Sequence, residues 1–251
     1  MRLDSISRSC VRVALIILGV PLLFAHPLAA QEGMQSAPEP MPEPMIFDLV
    51  RPLGAKRGEL EFNTLFQQSS APGAPLAWAP EVEWAFRDGL AVEAELPFEN
   101  GRVKTYKFAL QGTLTPRLGG EFQHGWQVIG QHVLANGSWS SDVLYLAGFR
   151  PTSRVTVFTM TGARRSAFGT ATVMQGVQNT SVFFAPSPGL IVGVESNFVF
   201  GAADRRARLI MPQVQKAIGG KYLFEIGVGA EERMPGHWGT ALGARFVRQL
   251  H

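Results

Sequence analysis

The chain has 251 residues, 46% of them hydrophobic and 17% charged, with 27 Gly and 17 Pro. That composition excludes a disordered chain, and with little helical periodicity it favours an all-β domain. The formal net charge of +3 falls to about +1 once Arg2, Arg8, Arg12 and Asp4 leave with the export signal described next, so charge points to no nucleic-acid partner.

Residues 1–30 place those three arginines ahead of an apolar stretch over 13–25 and a small-residue end at 26–30. This is the pattern of a secretory signal peptide, expected to be cut after Ala30; the apolar stretch is too short and proline-broken to span a membrane comfortably. The only cysteine, Cys10, lies within it, so the mature chain offers no disulfide, thiolate metal site or cysteine nucleophile. Residues 31–57 form a leader in which Pro38, Pro40, Pro42 and Pro44 recur at every second position. The spacing predicts an extended polyproline tether on the periplasmic side, without a core of its own.

From residue 58 to 251 the chain is a succession of alternating runs separated by turn signals. In the first, 59–66, Leu60, Phe62 and Phe66 alternate with Glu61 and Asn63. The next two are the most legible. Val82, Trp84 and Phe86 alternate with Glu81, Glu83 and Ala85, and after Arg87-Asp88-Gly89 the residues Leu90, Val92, Ala94 and Leu96 alternate with Ala91, Glu93 and Glu95. Period two on both sides of a three-residue loop ending in Gly predicts a β-hairpin with a bulged turn, in which Glu83 opposes Glu93 and Glu81 opposes Glu95. Opposed like charges cost about 0.2–1 kcal/mol per pair on an ordinary sheet, so the acidic face must look onto water or bases. The other face is apolar and needs a second sheet or lipid.

Nine further runs are expected at 105–114, 125–134, 142–149, 155–161, 170–185, 190–200, 208–217, 222–230 and 238–250. The fourth run carries Tyr106, Phe108 and Leu110 opposite Lys107 and Gln111, whereas 209–211 assigns itself to neither face. About twelve strands of roughly nine to eleven residues suit a tilted bilayer crossing. Short links at 87–89, 186–189 and 219–220 alternate with longer ones such as 67–75, 163–169 and 201–206, and Trp78, Phe98, Trp126, Trp139, Phe149 and Trp238 gather near strand ends. Short turns on one rim, longer loops on the other and aromatic girdles predict an antiparallel transmembrane β-barrel of the outer membrane of a diderm bacterium, its partners being the bilayer, lipopolysaccharide and the insertion machinery.

Charge placement predicts a lumen. Glu59, Glu61, Glu81, Glu83, Glu93 and Glu95 share one face across three successive strands, with Lys107 on the fourth. If the last strand closes on the first, Arg245 should sit beside Glu59 and Glu61 and neutralise the patch from the other side. No GxSxG elbow, HExxH, phosphate loop or EF-hand pattern occurs, and His124, His132, His237 and His251 are scattered singly. Neither an enzyme nor a metal or cofactor site is expected.

The stretches Trp78-Ala-Pro-Glu-Val-Glu-Trp84, His124-Gly-Trp-Gln-Val-Ile129, Gly193-Val-Glu-Ser-Asn197 and Met211-Pro-Gln-Val-Gln215, with 90–98 and 225–229, resemble the outer-membrane barrels grouped as meta-pathway phenol-degradation proteins. The resemblance spans nearly the whole mature chain and implies a barrel passing small or hydrophobic compounds; it brings no catalytic residues. The expectation is a narrow pore or uptake channel for small molecules, hydrophobic or aromatic ones included. The alternatives are a structural or adhesive envelope barrel and a soluble periplasmic β-sheet protein.

Overall fold

The computed structural model describes residues 41–250, apart from 48, 72, 116, 118–119, 169–170 and 202–206. The expected export signal and residues 31–40 of the leader lie outside the described residues. Alternating sequence becomes strand throughout: β1 (Leu60–Ser69), β2 (Ala77–Arg87), β3 (Leu90–Glu95), β4 (Phe98–Glu99), β5 (Arg102–Val103), β6 (Thr105–Thr113), β7 (Phe122–Val133), β8 (Ser138–Thr152), β9 (Val155–Phe168), β10 (Ala171–Ser187), β11 (Leu190–Phe200), β12 (Ala207–Ile218), β13 (Tyr222–Met234) and β14 (His237–Gln249). β4 and β5 make a small hairpin on one rim; the other twelve strands form an antiparallel barrel.

Closure is carried by β1, which pairs with β2 from Leu60↔Trp84 to Gln67↔Ala77 and with β14 from Glu61↔Gln249 to Ser69↔Ala241. Among the described residues every barrel strand pairs on both sides, the ladder closure that a bilayer crossing requires. The β2–β3 hairpin has the expected register, Glu81↔Glu95 and Glu83↔Glu93, with a bulge between Ala85 and Arg87. Gly89 closes it at φ 70°, a conformation that only a glycine adopts without strain.

The outer wall is apolar. Val82, Trp84, Phe108, Val143, Val194, Ile226 and Leu242 are all more than a third exposed, which a soluble protein does not sustain as a continuous belt. Rings cluster toward the strand ends, with Trp78 stacked between Phe66 and Phe98 on one rim and Phe246 against Tyr222 and Phe224 on the other. These are the aromatic girdles of a membrane barrel.

Several expected loops are strand instead. β8 begins at Ser138, β9 runs to Phe168 and β13 to Met234, so 138–141, 163–168 and 231–234 belong to the wall. Links on that rim are therefore shorter than the polar composition suggested, and the longest link on the opposite rim is 114–121. Polar residues there do not signal loops, because on the inner face they meet other polar groups: Asp142 of β8 accepts from Arg164 of β9 at 2.8 and 2.6 Å.

The leader differs most from expectation. Met41, Met45, Leu49, Val50, Leu53 and Ala55 are buried, and they pack against strand side chains that face away from the apolar belt. Leu49, Val50 and Leu53 share a core with Ile129, Leu144, Leu146, Phe158, Met160, Val177 and Phe183 of β7–β10; Met45 packs with Leu209 and Met211 of β12. The described part of the leader is thus no free tether; it fills the barrel. This also settles 209–211: Leu209 and Met211 point inward onto Met45 while Ile210 points out, so both faces of that strand are apolar for different reasons.

Candidate functional site

The site is the lumen and the segment crossing it. Near the middle of β11, Glu195 is fully buried and accepts hydrogen bonds from three successive leader N–H groups, Met45 at 2.9 Å, Ile46 at 3.0 Å and Phe47 at 2.9 Å. Charge-assisted bonds of this kind are about twice as strong as neutral ones. Asn197 and Gln213 donate to the same carboxylate at 2.7 and 3.2 Å, orienting it. Nearly opposite in the strand order, Gln111 of β6 accepts from Val50 N at 3.1 Å and donates to the Arg51 carbonyl. Between these two anchors the leader crosses from one wall to the other.

Its ends are held as well. Gln215 of β12 donates to the Glu43 carbonyl at 2.7 Å and Arg245 of β14 to the Pro44 carbonyl at 3.2 Å. At the exit, Gly54 N donates to Thr113 Oγ1 at 3.0 Å and Gly58 N to the Ala85 carbonyl at 2.8 Å. Gly227 and Gly243 make room for Met45: a Cβ on either would lie 2.6 or 2.7 Å from its Cε.

The six glutamates singled out above divide into two groups. Glu61, Glu81, Glu83, Glu93 and Glu95 are buried on the inner face, and Glu59 is partly exposed at the mouth. Lys107 Nζ lies 3.0 Å from Glu93 and also bonds Glu95. Arg245 does not meet Glu59 and Glu61 as expected. It pairs across the strand with Leu65, and its guanidinium donates to Asn63 at 2.9 Å and lies 3.8 Å from both Glu81 and Glu83 and 4.0 Å from Glu225. The β1–β14 register is the reason: it sets Gln249, rather than Arg245, opposite Glu61.

The leader's own Arg51 takes the place expected of Arg245. It is 2% exposed and bonds Glu61, Glu59 at 2.8 Å and the Gln249 side chain at 3.2 Å, with Glu83 at 3.8 Å. Burial by itself would lower its pKa, but Glu61, Glu59, Glu43 and Glu83 outweigh burial and hold it above the ordinary value, so Arg51 stays charged. Oxygens of Glu81, Glu93 and Glu95 lie within 4.8 Å of one another, close enough for a hard cation, yet Lys107 and Arg245 already supply positive charge there.

Sequence reasoning missed Glu195, Gln111, Arg51 and the Asp142–Arg164 pair. Glu195 had a signal, being the one acid in the otherwise apolar and small β11 run. Beside the leader a cavity of about 160 Å³ remains, lined by Ile46, Phe47, Glu95, Lys107, Ile129 and Asp142 among others. Its lining mixes apolar and charged side chains.

No protein-family model matches the chain, and no curated protein sequence matches it. Solved structures share its fold. A NanC porin aligns with TM-score 0.61 at 8% identity, over 76% of this chain and 100% of that one. A KdgM porin aligns with TM-score 0.59 at 8% identity, over 76% and 99%. An outer-membrane channel from Pseudomonas putida F1 aligns with TM-score 0.58 at 14% identity, over 80% and 97%. The chain therefore has the closed antiparallel barrel architecture of porin-like channels.

Proposed function

We propose that this protein is an outer-membrane channel for small solutes whose lumen is held shut by its own leader. The observation that carries the reading is the leader's path: the described residues of 41–53 lie inside a closed barrel, held by apolar packing and by hydrogen bonds and ion pairs that water can replace. A twelve-stranded barrel is too wide to be filled by wall side chains alone, so something must occupy it or leave it open. An apolar girdle with ringed rims supports insertion in a bilayer, with lipid and lipopolysaccharide as its surroundings. Export by the N-terminal signal would put the leader and the short-turn rim on the periplasmic side.

The lining supports solutes that are neutral or cationic. One KdgM structure was solved with oligogalacturonate, a polyanion; here Glu61, Glu81, Glu83, Glu93, Glu95, Glu195 and Glu225 face inward, which disfavours such a ligand. The apolar inward residues of β7–β10, from Ile129 round to Phe183, would suit the non-polar part of a small aromatic or aliphatic compound. No nucleophile–base pair accompanies these residues among the described ones, which supports passage rather than turnover.

The test has two stages. The outer-membrane fraction is run on a detergent gel with and without boiling; a faster unboiled band confined to that fraction is expected of a closed barrel. Liposome swelling with neutral sugars, amines and dicarboxylates then ranks solutes, and equal permeation of all three would contradict the lining argument.

A further inference from the structure

Arg51 is bound by the wall as a ligand is bound. Every acceptor comes from barrel strands or from the residue that opens them: Glu59 just before β1, Glu61 within it, Glu83 on β2 and Gln249 on β14. The registers fix this set before any cation arrives, because Glu61 stands directly opposite Glu83 on one side and opposite Gln249 on the other. Two carboxylates in one rung repel unless a positive group lies between them, and the guanidinium provides it: Nη1 faces both Glu61 and Glu83, while Nη2 reaches Glu59 and Gln249.

The recess differs from the neighbouring acidic cluster in one respect. Glu81, Glu93 and Glu95, and Glu83 on its other side, are matched by Lys107 and Arg245, both wall residues, which remain when the leader leaves, whereas the ion pairs of Glu59 and Glu61 are with Arg51. Arg51 would leave with it. Moreover Arg51 Nε is buried without a hydrogen-bond partner, so the chain connection keeps the guanidinium from using all its donors.

We infer that the recess formed by Glu59, Glu61, Glu83 and Gln249 is a binding site for solutes bearing a guanidinium or primary amine, and that Arg51 is its tethered occupant. The leader is then a competitor as well as an obstruction: a cationic solute that takes the recess removes one of the contacts holding the leader in place. A planar guanidinium should bind better than an ammonium of equal charge, since it reaches two acceptors at once. The inference deepens the channel reading, on which it rests for solute access, while the chemistry of the recess can be measured without any conductance.

The experiment uses the mature protein in detergent, with agmatine as probe and acetamide and acetate as controls, followed by isothermal titration calorimetry. Arg51→Ala should bind agmatine about tenfold or more tightly than wild type, in which the recess is filled, and the gain should vanish when Glu59→Gln and Glu61→Gln are added. Should Arg51→Ala not yield a heat-modifiable barrel, Arg51→Met keeps the stem and replaces it. Equal agmatine affinity in wild type and the Arg51 variant, or affinity untouched by the glutamines, overturns the inference. Binding with no conductance in bilayers would keep the recess and overturn the channel; conductance without binding would do the reverse.

Discussion

The Glu195 carboxylate on β11 accepts the backbone N–H of Phe47 at 2.9 Å, and that bond joins the barrel wall to a segment 148 residues earlier in the chain. With the bonds from Met45 and Ile46 it makes one side chain the principal anchor of the leader. Hydrogen bonds to charged groups contribute about 1.5–3 kcal/mol each, and all three end on this one carboxylate. Glu195→Ala should therefore raise amide hydrogen exchange at residues 45–47 by at least about tenfold, while exchange in the strands stays unchanged. Unchanged protection at those amides would remove Glu195 from this role.

The leader is also held by packing. Leu49 is 1% exposed and lies among Leu144, Leu146 and Phe158. Leu49→Ala should cost about 2–5 kcal/mol of docking free energy, as large-to-small changes in packed sites do. The same exchange measurement, compared with the strands, separates weakened docking from a weakened barrel.

Arg245 balances several buried carboxylates at once. Its replacement by Ala leaves Glu81, Glu83 and Glu225 without that guanidinium. Loss of one partner from a buried ionic group costs about 3–5 kcal/mol. The temperature at which the unboiled gel band shifts to the unfolded position should fall, and Arg245→Lys should recover only part of the loss, because one ammonium cannot keep the Nε bond to Asn63 and also face the carboxylates that the Nη atoms reach.

Ion preference follows from the lining. Substituting Glu81, Glu83, Glu93 and Glu95 by Gln removes four negative charges and leaves Lys107 and Arg245 in the lumen. In a salt gradient the reversal potential should shift away from cation preference toward anions, and the shift should shrink at high salt. An unchanged reversal potential would mean that ions do not pass these residues.

Much of the wall was legible in the sequence because alternation in a barrel is enforced by lipid on one side. The β2–β3 register, the approximate strand positions and the inward set Glu61, Glu81, Glu83, Glu93 and Glu95 all follow from parity along the strand. The position of Arg245 did not, since strand phase says which face a residue takes but not how far β14 slides along β1. The leader was read from its prolines, which favour an extended chain wherever it lies. The apolar group Met45, Ile46, Phe47, Leu49 and Val50 directly after them was the missed signal, together with the apolar inward residues Phe158, Met160 and Met211 that have no reason to face water. Neither half identifies the other without the structure, because each is also what a soluble core would show.

Single-channel recording addresses occlusion most directly. The mature wild-type protein and a Met45→Ser/Glu195→Ala variant, both heat-modifiable, would be compared in the same planar bilayer. Wild type should be closed for most of the record, and the variant should show long openings of larger conductance. Equal, sustained conductance from both would show that the leader does not close the lumen, and silence from both would mean that this barrel is a structural element of the envelope rather than a channel.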